Sequence, residues 1–188
     1  MVHWQATAIC GTSILSGGQD WFAINSGDYS MIDKPLVQTN DIVAVASDHA
    51  GFSLKEVFRH DLEGMGFNVL DLGPNDDTSV DYPEYGLALA NVVADGKAKA
   101  GVLVCGTGIG ISIAANRLPS VRAALVHNEI TAEMAREHND ANVMAIGARV
   151  VDQITAQACL KTFFSTPFAG GRHKRRVEQL GVPIDDQT

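Results

Sequence analysis

The chain has 188 residues, 46% hydrophobic and 19% charged, enough for one globular domain with a proper core and too apolar for global disorder. Its 14 Lys and Arg against 22 Asp and Glu give a net charge of −8, which argues against non-specific binding to nucleic acid or membrane surfaces. The three cysteines, Cys10, Cys105 and Cys159, are odd in number, widely spaced and without a CxxC, so a disulfide framework or a zinc site is not expected and a reducing cytoplasm fits. No apolar stretch reaches membrane-spanning length, and the first 33 residues lack the basic start of a secretory signal.

Residues 1–40 show no helical or strand period and hold both tryptophans, Trp4 and Trp21. They are read as an extension outside the core fold, with Met31 as a candidate natural start; an arm that packs on a partner subunit is the other reading. Residues 41–188 form the domain. "IVAVA" (42–46) is a β-branched apolar run expected of a strand buried on both faces. In residues 53–65, Leu54, Val57, Phe58, Leu62 and Met65 recur at helical spacing. Ser53 and Glu56 have capping-box spacing, and Gly66 is the expected stop. A strand over 67–72, a loop, a helix over 84–95 and a strand over 101–105 follow. A helix starts within or after the glycine loop that comes next. Then come a strand over 121–126, a helix over 129–140, a strand over 142–147, a helix over 151–164 and a last one over 170–181. This alternation predicts a three-layer α/β/α sandwich around a five-stranded parallel sheet, doubly wound and Rossmann-like. Ligands of such sheets bind beyond the carboxyl ends of the strands, where strand order reverses.

The stretch "VLVCGTGIGISIAAN" (102–116) has the strand–loop–helix setting of an anion site. Gly106, Gly108 and Gly110 make G-x-G-x-G, not the dinucleotide G-x-G-x-x-G, and no acidic residue follows at the ribose distance. There is no G-x-x-x-x-G-K for a nucleoside triphosphate. Cys105 stands at the mouth of the loop. A thiol there is suited to act as a base or nucleophile, and the alternative is a small buried hydrophobe. Amides beside a base suit proton abstraction next to a carbonyl, because the enediolate oxygen needs pre-aimed donors. Asp48 and His49 follow the first strand, either as a helix-entry pair or as site residues. His138 ends a helix, His127 follows a strand with its role open, and His60 is read as solvated. Arg172 and Arg176 are four apart on the last predicted helix, on one face, as in a phosphate clamp. A solvated basic face is the alternative.

The motifs "SDHAGFSLK", "DYPEYG", "CGTGIGISIAANR", "REHNDANVMAIGARV" and "GGRHKRRV" occur in this order. Together they closely resemble the type B ribose-5-phosphate isomerases, the family that includes the galactose-6-phosphate isomerase subunits. The resemblance spans residues 42–181. It implies an α/β/α fold, no metal or organic cofactor, and interconversion of aldose and ketose phosphates through a cis-enediolate. It also implies homodimers or dimers of dimers with active sites between subunits. Carried over, Cys105 would be the base between C2 and C1 and Thr107 would shuttle protons between the sugar oxygens. The amides of Gly106 to Gly110 would hold the enediolate. Asp48 and His138 would assist ring opening, and Asn139 would orient the sugar. His49, Arg149, Arg172 and Arg176 would hold the phosphate, and Tyr82 would line the site from the neighbouring subunit. Some relatives use a glutamate further along the loop as base; Ile111 stands there, which places this chain in the thiol-using branch.

The expected activity is therefore a cofactor-free aldose–ketose isomerase acting on ribose 5-phosphate and ribulose 5-phosphate. The same chemistry on a tetrose or hexose phosphate is the nearest alternative. A non-catalytic sugar-phosphate sensor would have no need of Cys105 or Thr107, and a nucleotide-binding oxidoreductase lacks its fingerprint.

Overall fold

The computed structural model describes residues 35–181. The readings of Cys10, the tryptophans and Met31 fall outside the described residues. Five strands form one parallel sheet: β1 (Ile42–Ser47), β2 (Asn68–Asp71), β3 (Ala100–Cys105), β4 (Ala123–Leu125) and β5 (Val143–Gly147). The helices are α1 (Phe52–Gly64), α2 (Tyr82–Ala94), α3 (Ile109–Ala115), α4 (Glu129–Glu137), α5 (Gln153–Ser165) and α6 (Lys174–Leu180), the last preceded by a 3-10 turn at Gly171–His173. Strand order is β2-β1-β3-β5-β4, so the three-layer, doubly wound expectation is borne out.

Burial on both faces explains why the central strands read as unbroken apolar runs. On one face Val43, Val45 and Val102 pack with Phe58 and Leu62 of α1 and with Leu160 and Phe163 of α5. On the other, Ala44, Ala46 and Leu103 meet Leu89, Ala90 and Val93 of α2. This second face is built from small residues, and α2 lies close to it. A Cβ on Gly101 would stand 2.4 Å from the Leu89 side chain, and one on Gly86 would stand 2.9 Å from the Ile111 carbonyl oxygen of α3. Val37, 3% exposed, belongs to the first cluster, so the core takes in residues just before Asp41.

Several local expectations change. No side chain caps α1: the helix starts at Phe52 with Gly51 as its N-cap, so the Ser53–Glu56 capping box is not formed. Glu56 is instead drawn to Lys55 Nζ at 2.7 Å and to Arg59. Lys55, 1% exposed, also pairs with Asp71 at the end of β2, and this double pairing makes a buried ammonium tolerable. Gly66 does follow α1 in a left-handed conformation (φ +89°), as a helix stop requires. β4 is only Ala123–Leu125, because it lies at the sheet edge and pairs on one side alone. The last helix breaks into the 3-10 turn and α6, so Arg172 and Arg176 do not share one α-helical face.

Replacing Gly101 by Ala should separate α2 from the sheet and lower stability by about 1–3 kcal/mol, as overpacking does. Urea unfolding of the purified variant measures this, and an unchanged midpoint would contradict the packing described.

Candidate active site

The chain leaves β1 for β2 on one side and then crosses to β3 on the other. The carboxyl ends of β1 and β3 therefore flank the switch point, where the crossovers part and leave a cleft. Asp48 follows β1 and Cys105 ends β3. The two turns are joined by the Asp48 amide, which donates to the Val104 carbonyl at 3.1 Å. The buried Asp48 carboxylate accepts the Gly51 amide at 2.9 Å, and this holds the turn before α1. Gly51 itself must be bare, since its Cβ would lie 2.5 Å from the Val104 oxygen. His49 Nδ1 lies 3.3 Å from both the amide and the carbonyl of Val80, which fixes the ring against the segment before α2.

The glycine loop is pressed onto β5. A Cβ on Gly147 would fall 2.5 Å from the Thr107 carbonyl carbon, and one on Gly108 would fall 2.8 Å from that of Ile146. Gly108 has φ +79° as the N-cap of α3, a conformation that costs glycine nothing. Its amide donates to Cys105 Sγ at 3.0 Å, and the Ile109 amide donates to Thr107 Oγ1 at 3.3 Å. Among the described residues the amides of Gly106 and Thr107 find no partner. Cys105 is 4% exposed, whereas Thr107 is open to solvent. Arg149, exposed and in no ion pair among the described residues, lies over Gly106: its Nη1 is 3.6 Å from where a Cβ would be. The Tyr82 ring occupies the space over Gly110 of its own chain, 2.5 Å from the site of a Cβ. Ile111 is fully buried against α2 and offers no base.

The other predicted site residues lie at the opposite edge. α4 starts beyond the carboxyl end of β4 and runs back, so its C-cap His138 and the following Asn139 come just before the amino end of β5. The strands between are up to six residues long, about 20 Å at the usual rise. The turn here is fastened by Asp140 (φ +46°), whose carboxylate receives Arg122 and the buried Arg136 at 2.9 Å each. After α5 the chain reaches the same edge, where the Ala169 amide donates to the Glu137 carbonyl at 3.0 Å. His138, Asn139, His173 and Arg176 line a recess of about 310 Å³. The structure thus gathers Asp48, His49, Tyr82, Cys105, Thr107, Gly106, Gly108, Gly110 and Arg149 at one edge. His138, Asn139, Arg172 and Arg176 stand together at the other. His127 is exposed next to Asn128, whose side chain caps α4 through the Thr131 amide.

The sequence marks His173 only as one member of a basic cluster over 172–176 suited to a small anion, yet its ring stacks on that of His138, with centroids 4.2 Å apart and planes 5° from parallel. The available signal was its place between Arg172 and Arg176. Burial, then His138, Arg172 and Arg176, push the His173 imidazole below the ordinary histidine value.

These features define a class: a doubly wound α/β protein with a thiol, a carboxylate and unspent amides at its strand-switch cleft, and basic side chains at both sheet edges. The model of the ribose/galactose isomerase family matches residues 43–180. Ribose-5-phosphate isomerase B of Escherichia coli K12 is 41% identical over 139 residues, which cover 73% of this chain and 93% of the relative. A putative sugar phosphate isomerase of Rickettsia bellii is 44% identical over 144 residues, covering 77% and 99%. Among solved structures, the type B ribose 5-phosphate isomerase of Trypanosoma brucei superposes with a TM-score of 0.72 at 44% identity, covering 76% of this chain and 98% of that one. The chain belongs to the ribose/galactose isomerase family and is an isomerase. No helix among the described residues is long and apolar enough to cross a membrane.

Burial pushes the Cys159 thiol up to about 11, with Glu129 adding to the effect. At pH 8 only about one thiol in a thousand would be ionised. Iodoacetamide at that pH should leave Cys159 unmodified in the folded protein and alkylate it after urea; peptide mass mapping checks this.

Proposed function

We propose that the chain interconverts ribose 5-phosphate and ribulose 5-phosphate through a cis-enediolate, with Cys105 as the base. The observation that carries the proposal is the loop itself: a thiol that receives the Gly108 amide, beside the amides of Gly106 and Thr107, which have no partner among the described residues. Support comes from relatives named ribose-5-phosphate isomerase B at about this level of identity.

Ribose 5-phosphate enters as a furanose. Opening breaks the bond between C1 and the ring oxygen; that oxygen gains a proton and the C1 hydroxyl loses one. Asp48 and His138 assist this exchange, while Asn139 orients the sugar. The Cys105 thiolate then takes the C2 proton, and the amides of Gly106 and Thr107 face the charge that develops on oxygen. Thr107, whose hydroxyl is exposed, carries a proton between O2 and O1. Cys105 returns its proton to C1, which yields the ketose with no net change in protons. Every step runs on side chains and amides of the protein, with no organic or metal cofactor.

His138, Asn139, Arg172 and Arg176 lie about a strand length from Cys105 in the same chain, so these groups reach the loop from a second copy. His49 and Arg149 hold the phosphate from the loop side, and Arg172 and Arg176 hold it from the partner's side. Ile109 (51% exposed) and Ile113 (62%), successive turns of α3 beside the loop, give the apolar surface such a homodimer would cover.

Cys105→Ala should fold normally and lose about 10²–10⁴-fold in kcat, the usual worth of a general base. A coupled assay with ribose 5-phosphate measures it, and wild-type rates in this variant would exclude the thiol mechanism. Run on four-, five- and six-carbon aldose phosphates, the wild-type assay should favour the five-carbon sugar.

A further inference from the structure

We infer that His173 is a positioning residue: its ring, stacked on His138 and held by Arg172, fixes the plane in which His138 meets the sugar. The inference rests on the isomerase reading of His138 given above. A histidine ring turns about a broad sp³–sp² torsion and does not choose its own plane. His138 is 36% exposed at the end of α4, and its nearest carboxylate, Glu137, is 3.7 Å away, beyond a hydrogen bond. The parallel His173 ring at 4.2 Å is the contact that sets its orientation.

The chain is shaped to bring the two rings together. Gly170 and Gly171 both have positive φ, +60° and +51°, and turn the backbone into the 3-10 segment that carries His173. Neither that segment nor α6 has a buried residue, so the turn serves no core. Arg172 Nε donates to His173 Nε2 at 3.3 Å. An accepting Nε2 has no proton, so His173 is neutral, with its hydrogen on Nδ1. A neutral face can stay stacked while His138 gains and loses a proton; two facing imidazoliums would repel. The charged groups around the pair are Glu137 from α4, Arg172 from the turn and Arg176 from α6. Burial, His138, Arg172 and Arg176 disfavour the His173 cation, and Glu137 alone opposes them.

The test compares His173→Ala, which removes the stack, with His173→Phe, which keeps a flat ring and cannot titrate. With ribose 5-phosphate, H173A should lose on the order of tenfold in kcat, as a misplaced catalytic group does. The kinetic isotope effect of C2-deuterated substrate should fall towards one, because ring opening then limits the rate, and H173F should recover most of both. A larger KM with the isotope effect unchanged would make His173 a phosphate ligand and overturn the inference; so would full activity in H173A. Proton spectra of His138 need no turnover: its ring resonances should move downfield in H173A and not in H173F. An inactive wild type with this pattern intact would reject the isomerase reading alone, and a His138 spectrum identical in H173A and the wild type would reject the stack.

Discussion

The site depends on one steric constraint. The backbone of Thr107 occupies the space where a side chain on Gly147 would be, so the loop after β3 rests directly on the end of β5. That contact seats Gly108 against Ile146 and leaves its amide free to reach Cys105 Sγ. Gly51 repeats the arrangement on the other side, where the turn after β1 rests on Val104. Bare glycines thus bring three strand ends within contact distance. A carboxylate, a thiol and a pair of amides converge there without any side chain having to span a gap.

The same sheet separates the proposed catalytic groups. Helices of a parallel sheet run back against the strands, so a residue at a helix end belongs to the opposite edge from a residue at a strand end. Cys105 is of the second kind and His138 of the first. Two half-sites at opposite edges are of little use to one chain. In the dimer proposed above, each cleft would gain what its own chain holds elsewhere. The Arg122–Asp140–Arg136 network and the stacked histidines fasten the turn that carries His138 and Asn139.

Much of this was legible in the sequence. The β-branched apolar run at 42–46 marked β1, and helical spacing at 53–65 marked α1. The G-x-G-x-G spacing after a strand pointed to Cys105 and its amides, and both are at the switch point. What the sequence hid follows from long-range contacts. Ser53 and Glu56 matched a capping box, but the buried Lys55 and the neighbouring Arg59 hold Glu56. The resemblance put Tyr82 in a neighbour's site, whereas its ring covers Gly110 of its own loop. Arg172 and Arg176 satisfied an i, i+4 rule that holds only inside one helix, and the change from the 3-10 turn to α6 at Lys174 falls between them. The His138–His173 stack joins segments 35 positions apart, and no local pattern encodes it.

The central claim is that a thiol at one sheet edge and a histidine at the other, on two copies of the chain, make one isomerase site. Mixing Cys105→Ala with His138→Ala protein, after unfolding and refolding together, tests it most directly. Each variant alone should be nearly inactive on ribose 5-phosphate, and the mixture should recover about a quarter of wild-type activity, one intact site in each mixed dimer. A mixture as inactive as its parts, or full activity in either variant alone, would contradict the account.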